Sequence, residues 1–167
     1  MTVLPDVLAS DLDIVFCGTA AGNVSALSGA YYAGPGNVFW STLFDVGLTP
    51  RLLQPKEYRE IISFGLGFTD LAKSVAGVDS QLSKDHFDRQ RLREVILRYK
   101  PKIIAFTSKR AASEFLDRPV GYGLQPERVG ASALFVLPSP SGAARGWWDV
   151  RHWQELARLR AGGTLPI

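Results

Sequence analysis

Cysteine is nearly absent from this chain of 167 residues, in which Cys17 stands alone. One thiol cannot close an internal disulfide, and it cannot supply a four-cysteine zinc site or iron–sulfur cluster. Long apolar runs are also lacking, since no stretch approaches the roughly 20 residues that cross a bilayer. The N-terminus has no basic segment followed by an apolar one, as a secretory signal would have. We therefore expect a soluble, cytoplasmic protein that does not associate with membranes.

Basic residues are missing from the first 48 positions, where the only charged side chains are aspartates. Residues 84–110, in contrast, carry nine basic side chains against three acidic ones, an asymmetry that the net charge of +3 hides. Such a segment suits an anionic partner such as nucleic acid, but the exposed face of an ordinary helix gives the same pattern. Charge alone leaves both interpretations open.

Hydrophobic residues make up 46% of the chain, which excludes a disordered protein, and the length predicts a single domain over residues 1–167. Three apolar, partly β-branched runs predict buried strands at Ile14–Cys17, Ile103–Thr107 and Ala133–Leu137. Helices are predicted at residues 38–46, 56–63, 71–75, 85–99, 109–116 and 147–160. This alternation predicts an α/β fold, a three-layer α/β/α domain on a short, mostly parallel sheet.

Ligands of such folds bind beyond the carboxyl ends of the strands. The loops that leave these ends begin after Cys17, Thr107 and Leu137, and two of them are rich in glycine, serine and alanine. Backbone can approach a ligand closely in such loops. The sequence therefore predicts a binding site where the three loops converge.

Several familiar site signatures are absent. Gly22 is not followed by Lys-Ser/Thr, and no Gly-x-Gly-x-x-Gly fingerprint occurs, so phosphate-loop and dinucleotide sites are disfavoured. His86 and His152 lie far apart with no cysteine or acidic residue at ligand spacing, which disfavours a metal centre. Ser141 stands in Pro-Ser-Gly, which is typical of a turn rather than of a nucleophile. We expect no metal and no organic cofactor.

Four segments, taken in order, carry a resemblance to a known family. They are Phe16–Gly22 (FCGTAAG), Gly36–Trp40 (GNVFW), Gly67–Leu71 (GFTDL) and Leu137–Arg145 (LPSPSGAAR). The series resembles the mismatch-specific uracil/thymine-DNA glycosylases of the uracil-DNA glycosylase superfamily. The resemblance implies a monomeric enzyme of base excision repair that acts on the nucleoid. It would hydrolyse the N-glycosidic bond of uracil in single- or double-stranded DNA and leave an abasic site.

The resemblance places Tyr32 at the aromatic position that stacks the extruded base. A glycosylase needs such a face because it takes its base out of the helix and holds it in a pocket. A tyrosine packed into the core is the alternative, but the Gly/Ala/Pro-rich neighbourhood of Tyr32 favours stacking. The other base-binding positions that the resemblance implies are Gly18, Thr19, Ala20, Gly22 and Asn37.

Ala20 departs from the family, which has an asparagine at this position to place the attacking water. A methyl group cannot orient water, and loss of such a group costs about 10²- to 10⁴-fold in rate. We expect Asp70 to act as the catalytic residue instead, because its segment borders the same pocket in the resemblance. A carboxylate there can accept a proton or stabilise a developing cation. The alternative role for Asp70 is the N-cap of a helix at Leu71–Val75.

The loop after the third predicted strand would enter the DNA helix where the base leaves. The DNA-binding residues implied by the resemblance are Lys109, Ser139, Ser141, Gly142, Ala143 and Arg145. Ala143 stands where the family usually has leucine, so the wedge is smaller and dependence on a mispaired duplex should be weaker. An ordinary turn before the following helix is the alternative.

Two other functions stay open. Ala20 also fits a non-catalytic relative that binds uracil or abasic sites in DNA, and the fold fits a small-molecule nucleotide-binding domain. If the protein is a glycosylase, we expect it to be monofunctional, because the sequence places no lysine beside Ala20 or Asp70 for imine chemistry.

Overall fold

A five-stranded sheet forms the centre of the fold, in a computed structural model that describes residues 2–77, 82 and 86–162. The strands are β1 (Ile14–Gly18), β2 (Leu66–Asp70), β3 (Ile103–Phe106), β4 (Gly123–Val129) and β5 (Ser132–Val136). They lie in the order β2-β1-β3-β5-β4; all are parallel except β4, which runs antiparallel to β5. The carboxyl ends of the parallel strands therefore meet at one edge of the sheet.

Helices cover both faces of this sheet. The α-helices are α1 (Asn23–Ser28), α2 (Phe39–Asp45), α3 (Arg89–Tyr99), α4 (Lys109–Leu116) and α5 (Val150–Arg160). Residues Pro55–Phe64 and Gly142–Trp147 form 3₁₀ helices. The first of these packs with α2 and α5 on one face, whereas α3 and α4 pack on the other.

Side chains of β1 alternate between two hydrophobic cores, one on each face of the sheet. Ile14 and Phe16 enter the core beneath α2 and α5, and Val15 and Cys17 enter the core beneath α3 and α4. Every residue of β1 is buried, as expected for a central parallel strand. The predicted three-layer α/β/α fold is confirmed. None of the helices in the described ranges is long and apolar enough to cross a bilayer.

The sequence analysis missed β2, since it predicted no strand between the helices at 56–63 and 71–75. Glycine has a low strand propensity, which conceals this segment. The structure requires glycine at position 67, because a Cβ there would lie 2.8 Å from Leu12 Cδ1 and closer still to the carbonyl oxygen of Val7. Val7 approaches so closely because it pairs with Phe68 through two backbone hydrogen bonds of 2.9 Å.

Two predicted helices need correction. The helix at Leu71–Val75 does not form, because the backbone instead bonds to the β1 loop, with the Ala72 amide donating to the Thr19 carbonyl at 2.7 Å. The last helix begins at Val150 rather than at Trp147, because the Asp149 side chain caps it by accepting from the Arg151 amide.

The remaining predicted elements keep their places with changed details. The segment predicted as a helix at 56–63 is the 3₁₀ helix Pro55–Phe64. The helix predicted at 85–99 is described from Arg89, with Asp88 as its cap, and Asp85 lies outside the described residues. β4 was not predicted, because its exposed positions give it no apolar run.

Replacing Gly67 by alanine should destabilise the fold by about 1–3 kcal/mol, since the added methyl group has no space between Val7 and Leu12. Urea unfolding followed by circular dichroism measures this change. Gly121→Ala is the matched control, because a Cβ at Gly121 meets nothing within 4 Å. Equal stability of the two variants would contradict the tight packing of β2.

Candidate active site

A cleft of about 650 Å³ opens at the carboxyl ends of the parallel strands, a size typical of small-molecule sites. The sequence predicted a site at this edge. Of the residues singled out from the sequence, the cleft is lined by Gly18, Thr19, Ala20, Gly22, Tyr32, Asn37, Asp70, Ser139, Ser141 and Ala143. Lys109, Gly142 and Arg145 do not belong to the described lining.

Asp70 is the last residue of β2 and lies opposite Gly18 of β1 in the parallel register. Its side chain is 5% exposed. A Cβ on Gly18 would lie 2.9 Å from Asp70 Oδ1, 3.5 Å from Thr107 Oγ1 and 3.6 Å from the Tyr32 hydroxyl. The space above Gly18 therefore brings together a carboxylate, a threonine hydroxyl and a phenol. Residues 71–77 form no helix, so Asp70 has none to cap.

Lys73 neutralises part of the negative charge of the Asp70 carboxylate. Its Nζ lies 3.5 Å from Asp70 Oδ2 and 3.2 Å from Asp6 Oδ1, and it donates a hydrogen bond of 2.9 Å to the Tyr31 hydroxyl. Arg91 pairs with Asp6 and donates to the Asp70 backbone carbonyl at 3.3 Å. Asp70 is thus the cleft end of a partly buried network of two carboxylates and two cations.

Burial raises the pKa of Asp70 to about 6, and Lys73 opposes this rise only in part. The group is therefore mostly ionised at neutral pH and can exchange a proton near it, as a catalytic carboxylate must. Because folding raises this pKa, the native state holds the proton more tightly than the unfolded chain does. The group accordingly lowers the stability of the fold as the pH rises from about 4 to about 6.

Tyr32 forms a wall of the cleft with its ring stacked on Phe39, the two centroids 3.9 Å apart and the planes 14° from parallel. Its hydroxyl shares a hydrogen bond of 3.0 Å with Thr107 Oγ1. The residue adopts a left-handed backbone conformation, with φ of 53°, which costs a bulky side chain on the order of 1–3 kcal/mol. Burial and the neighbouring Asp70 raise the pKa of Tyr32, so the phenol stays protonated.

The match to known proteins covers nearly the whole chain. The family model of the uracil DNA glycosylase superfamily matches residues 5–160. This chain belongs to the uracil-DNA glycosylase superfamily. Its fold is similar to the solution NMR structure of a Methanosarcina acetivorans protein provisionally named a uracil DNA glycosylase. The TM-score is 0.67 at 23% identity, over 95% of this chain and 96% of that one.

In this superfamily member, the loop of Ser139–Arg145 is both a structured turn and part of the cleft. Ser141 Oγ caps the 3₁₀ helix by accepting from the Ala143 amide at 3.2 Å. Gly142 packs against the 34–36 loop, where a Cβ would lie 3.3 Å from the carbonyl oxygen of Pro35. Arg145 is exposed and donates to the Gly36 carbonyl at 3.2 Å.

Two other residues proposed from the sequence also have structural partners. Asn37 Oδ1 accepts from the Phe39 amide at 2.9 Å beside the start of α2, and the residue also lines the cleft. Lys109 is exposed at the start of α4, with its ammonium 4.4 Å from the centre of the Tyr122 ring.

The sequence analysis missed Lys73, and its expectation that no lysine lies beside Asp70 is wrong. The signal available was a lysine three residues after a candidate carboxylate, but only the path of the chain after β2 brings Nζ to it. Thr107 was also passed over, although it begins one of the loops predicted to form the site. Both positions look ordinary in sequence because Asp6 and Tyr31, which also bind Lys73, and Tyr32, which bonds to Thr107, are distant along the chain.

Few charged or metal-binding side chains line the cleft. Asp70 is the single ionised side chain in the described lining, which includes no histidine or cysteine. Within residues 2–77, 82 and 86–162, no three His, Cys, Asp or Glu side chains cluster as metal ligands. The geometry therefore presents one carboxylate, hydroxyls and backbone to a ligand.

The pKa of Asp70 should be measurable near 6 by carbon-13 NMR titration of its carboxyl group. Lys73→Gln should raise that pKa further, since it removes the cation nearest the carboxylate. Lys102→Gln is the control, because Lys102 pairs with Asp13 at 3.1 Å instead. A wild-type midpoint near the ordinary value of 3.8, or no response to Lys73→Gln, would contradict the network.

Proposed function

We propose that the protein is a monofunctional DNA glycosylase of the mismatch-specific branch, which hydrolyses the N-glycosidic bond of uracil in DNA. The observation that carries this proposal is the meeting of Asp70 and Tyr32 in one cleft of a uracil-DNA glycosylase superfamily fold. A buried carboxylate that titrates near neutrality and an aromatic face are the two groups this reaction needs most.

The extruded base stacks on Tyr32. Phe39 already covers one face of the Tyr32 ring, so the cleft-facing surface is backed by a rigid aromatic. Stacking of this kind is worth roughly 1–3 kcal/mol per base. The departing base gathers negative charge. Residues Gly18–Gly22 and Asn37 line the cleft, and their amide groups donate hydrogen bonds to that base.

Asp70 acts on the sugar side of the reaction. As the bond between C1′ and the base nitrogen breaks, its electron pair leaves with the base and the sugar becomes cationic. The Asp70 carboxylate stabilises that cation and accepts a proton from the water whose oxygen bonds to C1′. The products are the free base and an abasic site. Ala20 in the lining leaves this task to Asp70, since its methyl group cannot hold water.

Hydrolysis by water is favoured over imine formation by the position of Lys73. Its ammonium is held by Asp6, Asp70 and Tyr31, and the residue is not part of the described cleft lining. Lys73 therefore keeps Asp70 ionised rather than attacking the sugar. The short side chain of Ala143 at the cleft supports a weak dependence on mispaired DNA.

A second candidate function is recognition of uracil or abasic sites in DNA without catalysis. Ala20 is the observation that favours it, because the residue that usually positions water is missing. The two functions differ in one measurement, the release of free uracil from an oligonucleotide that the protein binds.

Asp70→Asn should lower the single-turnover rate of uracil release by about 10²- to 10⁴-fold and leave DNA binding intact. The wild-type rate should rise with pH through about 6 and then level off, because the ionised carboxylate is the active form. The variant should unfold at the same temperature as wild type or higher at pH 7.5, since it removes a buried charge.

Asp45→Asn serves as the control for this experiment, because Asp45 is exposed at the end of α2. A near wild-type rate for Asp70→Asn would remove Asp70 from the mechanism. Specific binding of uracil-containing DNA with no base release by the wild-type protein would establish the binding-only alternative.

Tyr32→Ala should weaken binding of a uracil-containing oligonucleotide about 5- to 150-fold, the equivalent of the stacking energy. Tyr32→Phe keeps the ring on Phe39 and loses only the hydrogen bond to Thr107, so it should cost less than about tenfold. Fluorescence anisotropy in the Asp70→Asn background separates binding from turnover. An equal loss in both variants would show that the hydroxyl, rather than stacking, matters.

A further inference from the structure

Trp147 is a large aromatic side chain left in solvent at the cleft. The residue is 76% exposed, yet it belongs to the cleft lining. An indole has 150–250 Å² of surface, most of it apolar, and exposure of that much surface beside a cleft marks a contact surface. Among the described large hydrophobic residues that line the cleft, Val24 of α1 is the other exposed one, with 43% of its surface accessible.

The backbone that carries Trp147 is firmly anchored. The next residue, Trp148, packs its ring 5.6 Å from that of the fully buried Trp153. At the other end of the same 3₁₀ helix, Ser141 caps the first turn. The Trp148 amide also donates to the Arg145 carbonyl at 3.2 Å. The indole therefore stands on a fixed base and is not the tip of a loose loop.

The surroundings of Trp147 suit a nucleic-acid strand. Leu27, 90% exposed, follows the cleft-lining Val24 by one helical turn and extends the exposed apolar surface of α1. Arg145 is exposed two residues before Trp147, and the exposed Lys109 directly follows Ser108 of the cleft lining. Exposed apolar surface for bases, accompanied by cations for phosphates, is the combination that binds unpaired strands.

We propose that Trp147 is a stacking platform for an unpaired base next to the one held in the cleft, which makes single-stranded DNA the preferred substrate. This inference rests on the proposed function, because it takes the cleft to hold a base. An indole face accepts any base, so the platform is tolerant of sequence. In a duplex the neighbouring bases already stack on each other, and freeing one costs a few kcal/mol per step. Ala143 is too small to compensate by filling the gap.

Binding to labelled oligonucleotides tests this without relying on turnover. The ligands are a single strand that contains a stable abasic analogue and the same strand in a duplex, read by fluorescence anisotropy. Trp147→Ala should weaken single-strand binding about 5- to 150-fold, Trp147→Phe should lose less than about tenfold, and the duplex should be affected less than the single strand. Phe44→Ala is the matched control, because Phe44 is 44% exposed and outside the cleft lining.

Unchanged single-strand binding by Trp147→Ala would overturn the inference. A loss confined to the duplex would also overturn it, since Trp147 would then be a plug in paired DNA. A wild-type dimer in sedimentation that dissociates in Trp147→Ala would assign the indole to a second copy instead. Uracil release by the wild-type protein is measured alongside. If Trp147→Ala weakens single-strand binding but the wild-type protein releases no uracil, the stacking platform stands and the proposed reaction is rejected.

Discussion

The parallel pairing of Gly18 with Asp70 is the constraint on which the site depends. Because Gly18 has no side chain, the Asp70 carboxylate can lie close above it, where a Cβ on Gly18 would come within 2.9 Å of Oδ1. The Tyr32 hydroxyl and Thr107 Oγ1 approach that same point from two other parts of the chain. A single backbone register thus sets the position of the carboxylate relative to the aromatic wall.

This arrangement buries Asp70, which disfavours its ionised form, and the neighbouring positive charges reduce that penalty. Lys73 and Arg91 connect the carboxylate to Asp6, so that the N-terminal segment, β2 and α3 meet in one network. The cations do not fully offset burial, and the pKa of Asp70 stays near 6. An ion pair built only for stability would hold the carboxyl pKa low; a raised pKa at the floor of a cleft is typical of a functional group.

Small residues at Ala20 and Ala143 define how this chain differs from the pattern it resembles. Membership of the superfamily accounts for the sheet, the cleft and the order of the loops. In the proposed mechanism, the tasks that the family assigns to those two positions pass to other side chains of the cleft, the water to Asp70 and the contact with neighbouring bases to Trp147. A shared fold keeps the loops together at the carboxyl ends of the strands, so either task can move to another loop without changing the sheet.

The sequence by itself determined β1, β3 and β5, because buried parallel strands are continuous apolar runs, and it placed the candidate site at their carboxyl ends. It also selected Asp70 and Tyr32, although only through the resemblance. Tertiary structure decided β2, because Gly67 and the preceding Gly65 conceal this strand in the sequence and it forms by pairing with Val7 and β1. It also decided the role of Lys73, whose ammonium reaches Asp6 across 67 positions of the chain. Strand propensity and capping are local properties that sequence records, whereas a register and an ion pair depend on distant segments that only folding brings together.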